Sequence, residues 1–250
     1  MRPVDQKRIL VADDTLPMRI MLQDVLTEAG YDVITAADGE EAWNIVQAQG
    51  NDIDLLILDL LMPRMTGFEV LEKIKSGGNP FDLKSLVVTG IFKSEKEIKR
   101  MKDLGASGYL TKTALIDEIL FRVNQVFHMG MENTRRFQRL FMSLPVEYRR
   151  NGSVYSNFSS NFSAGGVFIR TIDPLEETKE IELSFQVPEI DLDVKALGRV
   201  VWTNEYETNR RKSSLPGMGI EFLELDAKIQ SALDIFVNER LVDEPVWLTT

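Results

Sequence analysis

LLILD, residues 55–59, is a run of four aliphatic side chains that stops on a carboxylate. The same design recurs along the first half of the chain. KRILVA (7–12) ends against the pair Asp13-Asp14, SLVVT (85–89) ends on Thr89, and GYL (108–110) leads to Lys112. Short continuous apolar runs suit strands buried on both faces. Between them lie segments with apolar positions at helical spacing, such as Ile20, Met21, Val25, Leu26 and Ala29, with Pro17 fitted to a first turn and Gly30 to a stop. The alternation predicts strands over 7–12, 32–36, 55–59, 86–89 and 108–110. Helices are predicted over 17–29, 40–49, 68–76, 95–104 and 115–127. Five such units imply an α/β doubly wound, five-stranded parallel sheet, because parallel strands need crossover connections. In these folds chemistry lies beyond the carboxyl ends of the strands. Asp13, Asp14, Asp59, Thr89 and Lys112 all fall there.

Three carboxylates at one sheet edge are hard oxygen ligands of the kind Mg²⁺ prefers, and the metal offsets their mutual repulsion. Lys112 supplies a point charge for a phosphoryl oxygen and Thr89 a hydroxyl donor. Taken singly, each residue is as easily a loop acid or a cap. Five at strand ends point to a phosphoryl acceptor.

With the segment DLLMPRMTG (Asp59–Gly67), these spacings make residues 7–128 resemble the receiver domain of bacterial two-component response regulators. The resemblance implies a flavodoxin-like fold and transfer of a phosphoryl group from a histidine kinase to Asp59. It also implies Mg²⁺ held by Asp14, Asp59 and the Leu61 carbonyl, with Asp13 helping through water. Thr89 and Tyr109 match the family's switch pair, whose hydroxyl moves toward the phosphate while the ring turns inward. One position departs from the pattern: the lysine is usually followed by proline, and Thr113 follows Lys112. A cis peptide before a residue other than proline costs about 2.5–4 kcal/mol, so this loop is expected to differ in shape or relax on activation.

The pattern changes after about Gly130. Ile181, Leu183, Phe185 and Val187 alternate with polar residues, a period of two that fits a strand with one wet face. Strands are also predicted over 167–171, 196–202 and 218–222, and a helix over 226–241. This is the outline of a small all-β barrel with a C-terminal helix, hence two domains, 1–129 and 130–250. The span 135–150 holds five arginines (135, 136, 139, 149, 150) against Glu147 alone. Arginine forks suit phosphate and the O6/N7 edge of guanine. The stretch NFSAGG (161–166) reads as a short polar turn whose amides can approach a phosphate. A basic linker and an ordinary hairpin turn would look the same.

Together the two stretches resemble the PilZ domain, whose signature is Arg-x-x-x-Arg followed by [Asp/Asn]-x-Ser-x-x-Gly. Here those are Arg135 and Arg139, then Asn161, Ser163 and Gly166, with Arg136 beside them. LPVEYR, GGVFI, GRVVW and PGMGIEF fit the same family. The resemblance implies binding of cyclic di-GMP by the arginines and the polar turn.

Bulk properties narrow the rest. A net charge of −10 argues against non-specific binding to DNA or anionic membranes, and residues 131–250 carry 14 basic against 19 acidic side chains with no helix-turn-helix pattern. The longest apolar run, around Leu55–Met62, is broken by Asp59, so no membrane insertion is expected, and the N-terminus does not read as a secretory signal. The absence of cysteine rules out disulfides and fits a cytoplasmic location. His128 is the single histidine and reads as the surface end of a helix. A phosphatase would want a second aspartate at position 61, where Leu61 stands. The expected protein is a signalling adaptor without a conventional enzymatic output, acting on an unknown downstream protein. The alternative is an adaptor whose barrel binds no nucleotide. Homodimerisation is left open. Because the helix ending near His128 runs within a few residues to Arg135, phosphorylation is expected to alter nucleotide affinity.

Overall fold

The computed structural model describes residues 6–77, 82–90, 94–127, 136–150, 152–205 and 215–242. His128 and Arg135 lie outside the described residues. Two compact units part at about residue 131.

The first unit carries strands β1 (Arg8–Ala12), β2 (Asp32–Ala36), β3 (Leu55–Asp59), β4 (Lys84–Thr89) and β5 (Gly108–Thr111). Helices α1 (Leu16–Glu28), α2 (Gly39–Gln49), α3 (Gly67–Ser76), α4 (Glu95–Asp103) and α5 (Ile116–Phe127) follow them in turn. The strands are parallel in the order β2-β1-β3-β4-β5. The order reverses between β1 and β3, so a crevice opens beyond Ala12 and Asp59. Every residue of β3 is buried, as expected of a central strand covered on both faces. Local chemistry sets the helix starts. Thr66 with Glu69 and Ser94 with Glu97 form capping boxes, and Asp38 accepts from the amides of Glu40 and Glu41. Thr15 stands at the N-cap position of α1 without capping it, because its hydroxyl is given to Asp13.

The second unit carries β6 (Leu140–Phe141), β7 (Pro145–Arg150), β8 (Ser153–Ser163), β9 (Gly166–Arg170), β10 (Glu180–Val187), β11 (Leu192–Asn204), β12 (Gly217–Glu224) and helix α6 (Ala227–Val242). Antiparallel pairing runs β8-β7-β10-β11-β12-β9, and β9 returns to β8, closing a six-stranded barrel with β6 added beside β8. Closure removes the exposed edges that an open sheet would leave. Phe162, Phe185, Val146 and Ile220 fill the interior, and α6 packs Leu233, Phe236 and Val237 against it. The rings of Phe162 and Phe236 stack with centroids 6.5 Å apart.

The barrel holds three strands that the alternation of apolar residues did not predict: β6, β7 and β8. Ser and Asn occupy seven of the eleven positions of β8, SVYSNFSSNFS, and its register shifts partway along, so no period of two survives. Two further corrections follow. Asn161 to Ser163 belong to β8, and only Ala164 and Gly165 make the turn into β9. The five arginines do not form one cluster: Arg149 and Arg150 pair with Val154 and Ser153 of β8, whereas Asn161 lies at the other end of that strand. At about 3.3 Å per residue the separation is more than 20 Å. Arg149 lies 3.6 Å from Glu182, and Arg150 lies 2.5 Å from Asp173.

β6 and β7 are almost one strand, interrupted at residues 142–144. The Ser159 hydroxyl repairs the break, accepting from the Leu144 amide at 2.8 Å and donating to the Met142 carbonyl at 2.7 Å. Ser159 is wholly buried. Replacing it with alanine leaves the buried Leu144 amide and the part-buried Met142 carbonyl short of a partner, so the barrel should lose about 1–3 kcal/mol, read as a lower urea midpoint at unchanged slope.

Candidate functional site

At the carboxyl edge of the parallel sheet the predicted residues converge. Oxygens of Asp13, Asp14 and Asp59 lie within 4.8 Å of one another. Asp13 follows β1, Asp59 ends β3, Thr89 ends β4 and Lys112 follows β5. The Lys112 ammonium lies 2.7 Å from Asp13 Oδ2 and 2.8 Å from Asp59 Oδ2. Its amide donates to the Thr89 carbonyl at 2.7 Å, which carries the β4–β5 ladder one step past the strand ends. Asp13 is buried and its Oδ1 is committed to the Thr15 amide and hydroxyl, while Asp14 is exposed at the rim. The Leu61 amide donates to Asp59 Oδ1 at 3.3 Å. Thr89 is buried, and Tyr109 is half-buried against the core of the unit. After Lys112 the chain turns through an Ala114-to-Thr111 backbone hydrogen bond, with the hydroxyls of Thr111 and Thr113 3.0 Å apart. No cis peptide occurs among the described residues, and the Lys112–Thr113 bond is trans.

The electrostatics are those of a carboxylate held against its preference. Burial raises the Asp59 carboxyl above its ordinary range, with Lys112 and the Leu61 amide opposing the rise and Asp13 adding to it. Burial pulls the Lys112 ammonium down, yet its bonds to Asp13 and Asp59 outweigh this and hold it above its usual value. The two directions agree once Lys112 is seen to serve two acids: one ammonium cannot fully neutralise both. Asp13 Oδ2 is buried and accepts no well-aligned hydrogen bond. Three hard oxygen donors and an under-compensated buried oxygen fit a Mg²⁺ ion. Magnesium should therefore raise the thermal midpoint of this unit relative to chelator, by about 2.7 kcal/mol of stability at a hundredfold excess over the dissociation constant. Asp14→Asn should shrink that gap.

The barrel site depends on two irregularities. Ser159 pairs with Ile169 but Asn161 pairs with Phe168, so Ser160 is an extra residue in β8. Likewise Val200 pairs with Ile220 but Trp202 with Gly219, so Val201 is extra in β11. Strict alternation would have sent Asn161 and Trp202 to the same side as Ser159 and Val200. Each bulge instead re-aims its residue onto the outer face, opposite the interior side chains Phe162 and Val200. A row results across four strands: Asn161, Phe168, Gly219, Trp202. Phe168 and Trp202 stack with centroids 5.0 Å apart. Gly219 lies directly beneath the indole, where a Cβ would fall 2.1 Å from Nε1.

Arg139 joins the row by donating from Nη1 to Asn161 Oδ1 at 3.2 Å. Arg136 is exposed nearby, its guanidinium 5.2 Å from the Phe137 ring. Ser163 is buried and braces its own turn, accepting from the Gly165 amide at 3.3 Å and donating to the Gly166 carbonyl at 3.4 Å. Gly166 lies against the Ile220 carbonyl of β12. Of the predicted barrel residues, Arg136, Arg139, Asn161, Ser163 and Gly166 thus meet around one turn. The Phe168–Trp202 stack was missed, although the GGVFI and GRVVW segments each carry one of its rings.

Comparisons with known proteins divide the chain at the same place. Residues 9–124 match the response regulator receiver domain and residues 133–239 the PilZ domain. The response regulator RppA of Synechocystis is 28% identical over 178 residues, 71% of this chain and 68% of that protein. The alkaline phosphatase synthesis transcriptional regulatory protein PhoP of Bacillus subtilis is 37% identical over 121 residues, 48% of each chain. This chain spans about half the length of that relative and of the probable transcriptional regulator ycf27 of Cyanophora paradoxa. Among solved structures, the chemotaxis protein CheY4 of Vibrio cholerae is 32% identical, covering 48% of this chain and 98% of its own, with a TM-score of 0.45. Among the described residues no helix is long and apolar enough to cross a membrane. The chain consists of a response regulator receiver domain followed by a PilZ domain.

Proposed function

We propose that this protein is a two-component response regulator that takes a phosphoryl group on Asp59 from a histidine kinase and binds cyclic di-GMP on its barrel. It would then act on a protein partner in the cytoplasm. The observation that supports this most is convergence within one chain: Lys112 bridges Asp13 and Asp59, and Arg139 reaches Asn161 on a separate unit.

In the receiver, Asp13, Asp14, Asp59 and the Leu61 carbonyl would hold Mg²⁺, which neutralises charge on the phosphoryl group in transfer. An Asp59 oxygen attacks phosphorus, the phosphorus–nitrogen bond of the donor phosphohistidine breaks, and the imidazole nitrogen keeps the electron pair. Lys112 then exchanges its Asp59 contact for a phosphoryl oxygen. Thr89 donates its hydroxyl to another oxygen, and Tyr109 responds to the space that Thr89 leaves. The chemistry goes no further than gain and loss of this group, so the protein is not a conventional enzyme. Leu16, Ile20, Leu61, Leu115 and Ile116 are large apolar side chains left exposed within a few residues of Asp14, Asp59 or Lys112. An apolar surround of this kind supports a protein donor.

On the barrel, Arg135, Arg136 and Arg139 would hold phosphate and guanine, and Asn161, Ser163 and Gly166 close the other side. The half-buried indole of Trp202, seated on Phe168, offers a base something to stack on. If the sites are linked, phosphorylation changes nucleotide affinity by the same factor by which nucleotide shifts the receiver equilibrium. Calorimetric titration of cyclic di-GMP into the full chain, with and without beryllofluoride and Mg²⁺, tests the reading. Saturable binding whose constant changes with beryllofluoride is expected. Equal constants would remove the linkage, and absence of binding would leave an adaptor that uses no nucleotide.

A further inference from the structure

Phe137 stands between the arginines, and neither the metal site nor the nucleotide contacts account for it. Leu140 pairs with Phe162 and Phe141 with Asn161, so the antiparallel register of β6, continued backwards, sets Arg139 beside Ser163 and Phe137 beside Gly165. The side chains bear this out. A Cβ at Gly165 would lie 2.5 Å from Cδ2 of the Phe137 ring, so the glycine leaves a notch that the ring occupies. Phe137 also packs against the barrel core, and the Arg136 guanidinium sits over the ring. The notch itself is braced by two hydrogen bonds. Phe222 donates its amide to the Gly165 carbonyl at 2.9 Å, and Gln230 of α6 donates to the Ala164 carbonyl at 3.2 Å.

β6 is only two residues long, too short to hold the arginine segment by backbone pairing alone. We infer that Phe137 is a positioning residue for the nucleotide site: seated in the Gly165 notch, it fixes the segment so that Arg139 reaches Asn161, with Arg136 held over the ring, before ligand arrives. Preorganisation of this kind lowers the ordering cost of binding without adding a contact to the ligand. It also assigns Gly165, which lies outside the Arg-x-x-x-Arg and Asn-x-Ser-x-x-Gly positions, a reason to lack a side chain.

This inference rests on the nucleotide reading above, and the test separates the two. Cyclic di-GMP is titrated calorimetrically into full-length wild type, Phe137→Ala, Phe137→Tyr, Gly165→Ala and the Phe137→Ala/Gly165→Ala double variant. Phe137→Ala should weaken binding about tenfold, and Phe137→Tyr should restore it because the ring is kept. Gly165→Ala should weaken binding in the wild-type background, where its methyl expels the ring, and add nothing once the ring is gone. Additive losses, or wild-type affinity in Phe137→Ala, would overturn the inference. No binding by wild type would instead sink the nucleotide reading. Should Phe137→Ala fail to fold, the same cycle is run with Phe137→Leu, and the outcomes keep their meaning.

Discussion

Asp59→Asn is expected to abolish phosphoryl uptake, so that intact mass after incubation with a small phosphoramidate donor and Mg²⁺ shows the unmodified chain alone. The substitution keeps shape and leaves an oxygen for Lys112, but an amide is no nucleophile toward phosphorus. Wild type should carry one group under the same conditions. A phosphorylated Asp59→Asn chain would place the acceptor elsewhere. The same variant reports on the electrostatics. Burial raises the Asp59 carboxyl, so the folded state holds that proton more tightly than the unfolded state does. Its contribution to stability is therefore full below the unfolded carboxyl range of about 4 and is lost as pH rises through the higher folded value. Without metal, Asp59→Asn should melt above wild type at neutral pH, and the gap should close on acidification. A gap that widened in acid would mean that Lys112 outweighs burial, contrary to the direction found here.

Arg139→Ala should weaken cyclic di-GMP by one to two decades, since each charge-assisted hydrogen bond is worth about 1.5–3 kcal/mol and about 1.4 kcal/mol is tenfold. Arg139→Lys should fall between, because an ammonium keeps charge but loses the two-pronged geometry. Phosphoryl uptake on Asp59 should be unchanged in both, which serves as the check that the chain is intact. Unaltered nucleotide affinity in Arg139→Ala would remove Arg139 from the site. By contrast, Arg149 and Arg150 lie on β7, paired with the far end of β8, and are engaged with Glu182 and Asp173. Their substitution should leave affinity near wild type.

The receiver half was legible because its strands are buried on both faces and its chemistry sits where they end. LLILD needs no period to be recognised, and a parallel sheet brings strand ends to one edge whatever the loops do. Asp13, Asp14, Asp59, Thr89 and Lys112 could be placed together on that rule alone. The barrel half was legible only where one face is wet, as in β10. β8 was not, because its Ser and Asn content hides a strand and because Ser160 breaks its alternation. NFSAGG consequently looked like one turn, although three of its residues continue a strand.

By itself, then, the order of residues determined that acids, a hydroxyl and an ammonium would share one sheet edge, because βα connectivity enforces it. It also determined that arginines would be available near an Asn-x-Ser-x-x-Gly stretch. Which arginines reach that stretch was decided by tertiary pairing, since β7 carries Arg149 and Arg150 away while Arg139, just before β6, reaches Asn161 with its side chain. Bulges at Ser160 and Val201 likewise decided that Asn161 and Trp202 share the outer face. A bulge is a property of two strands in register, and a single strand's sequence does not contain its partner.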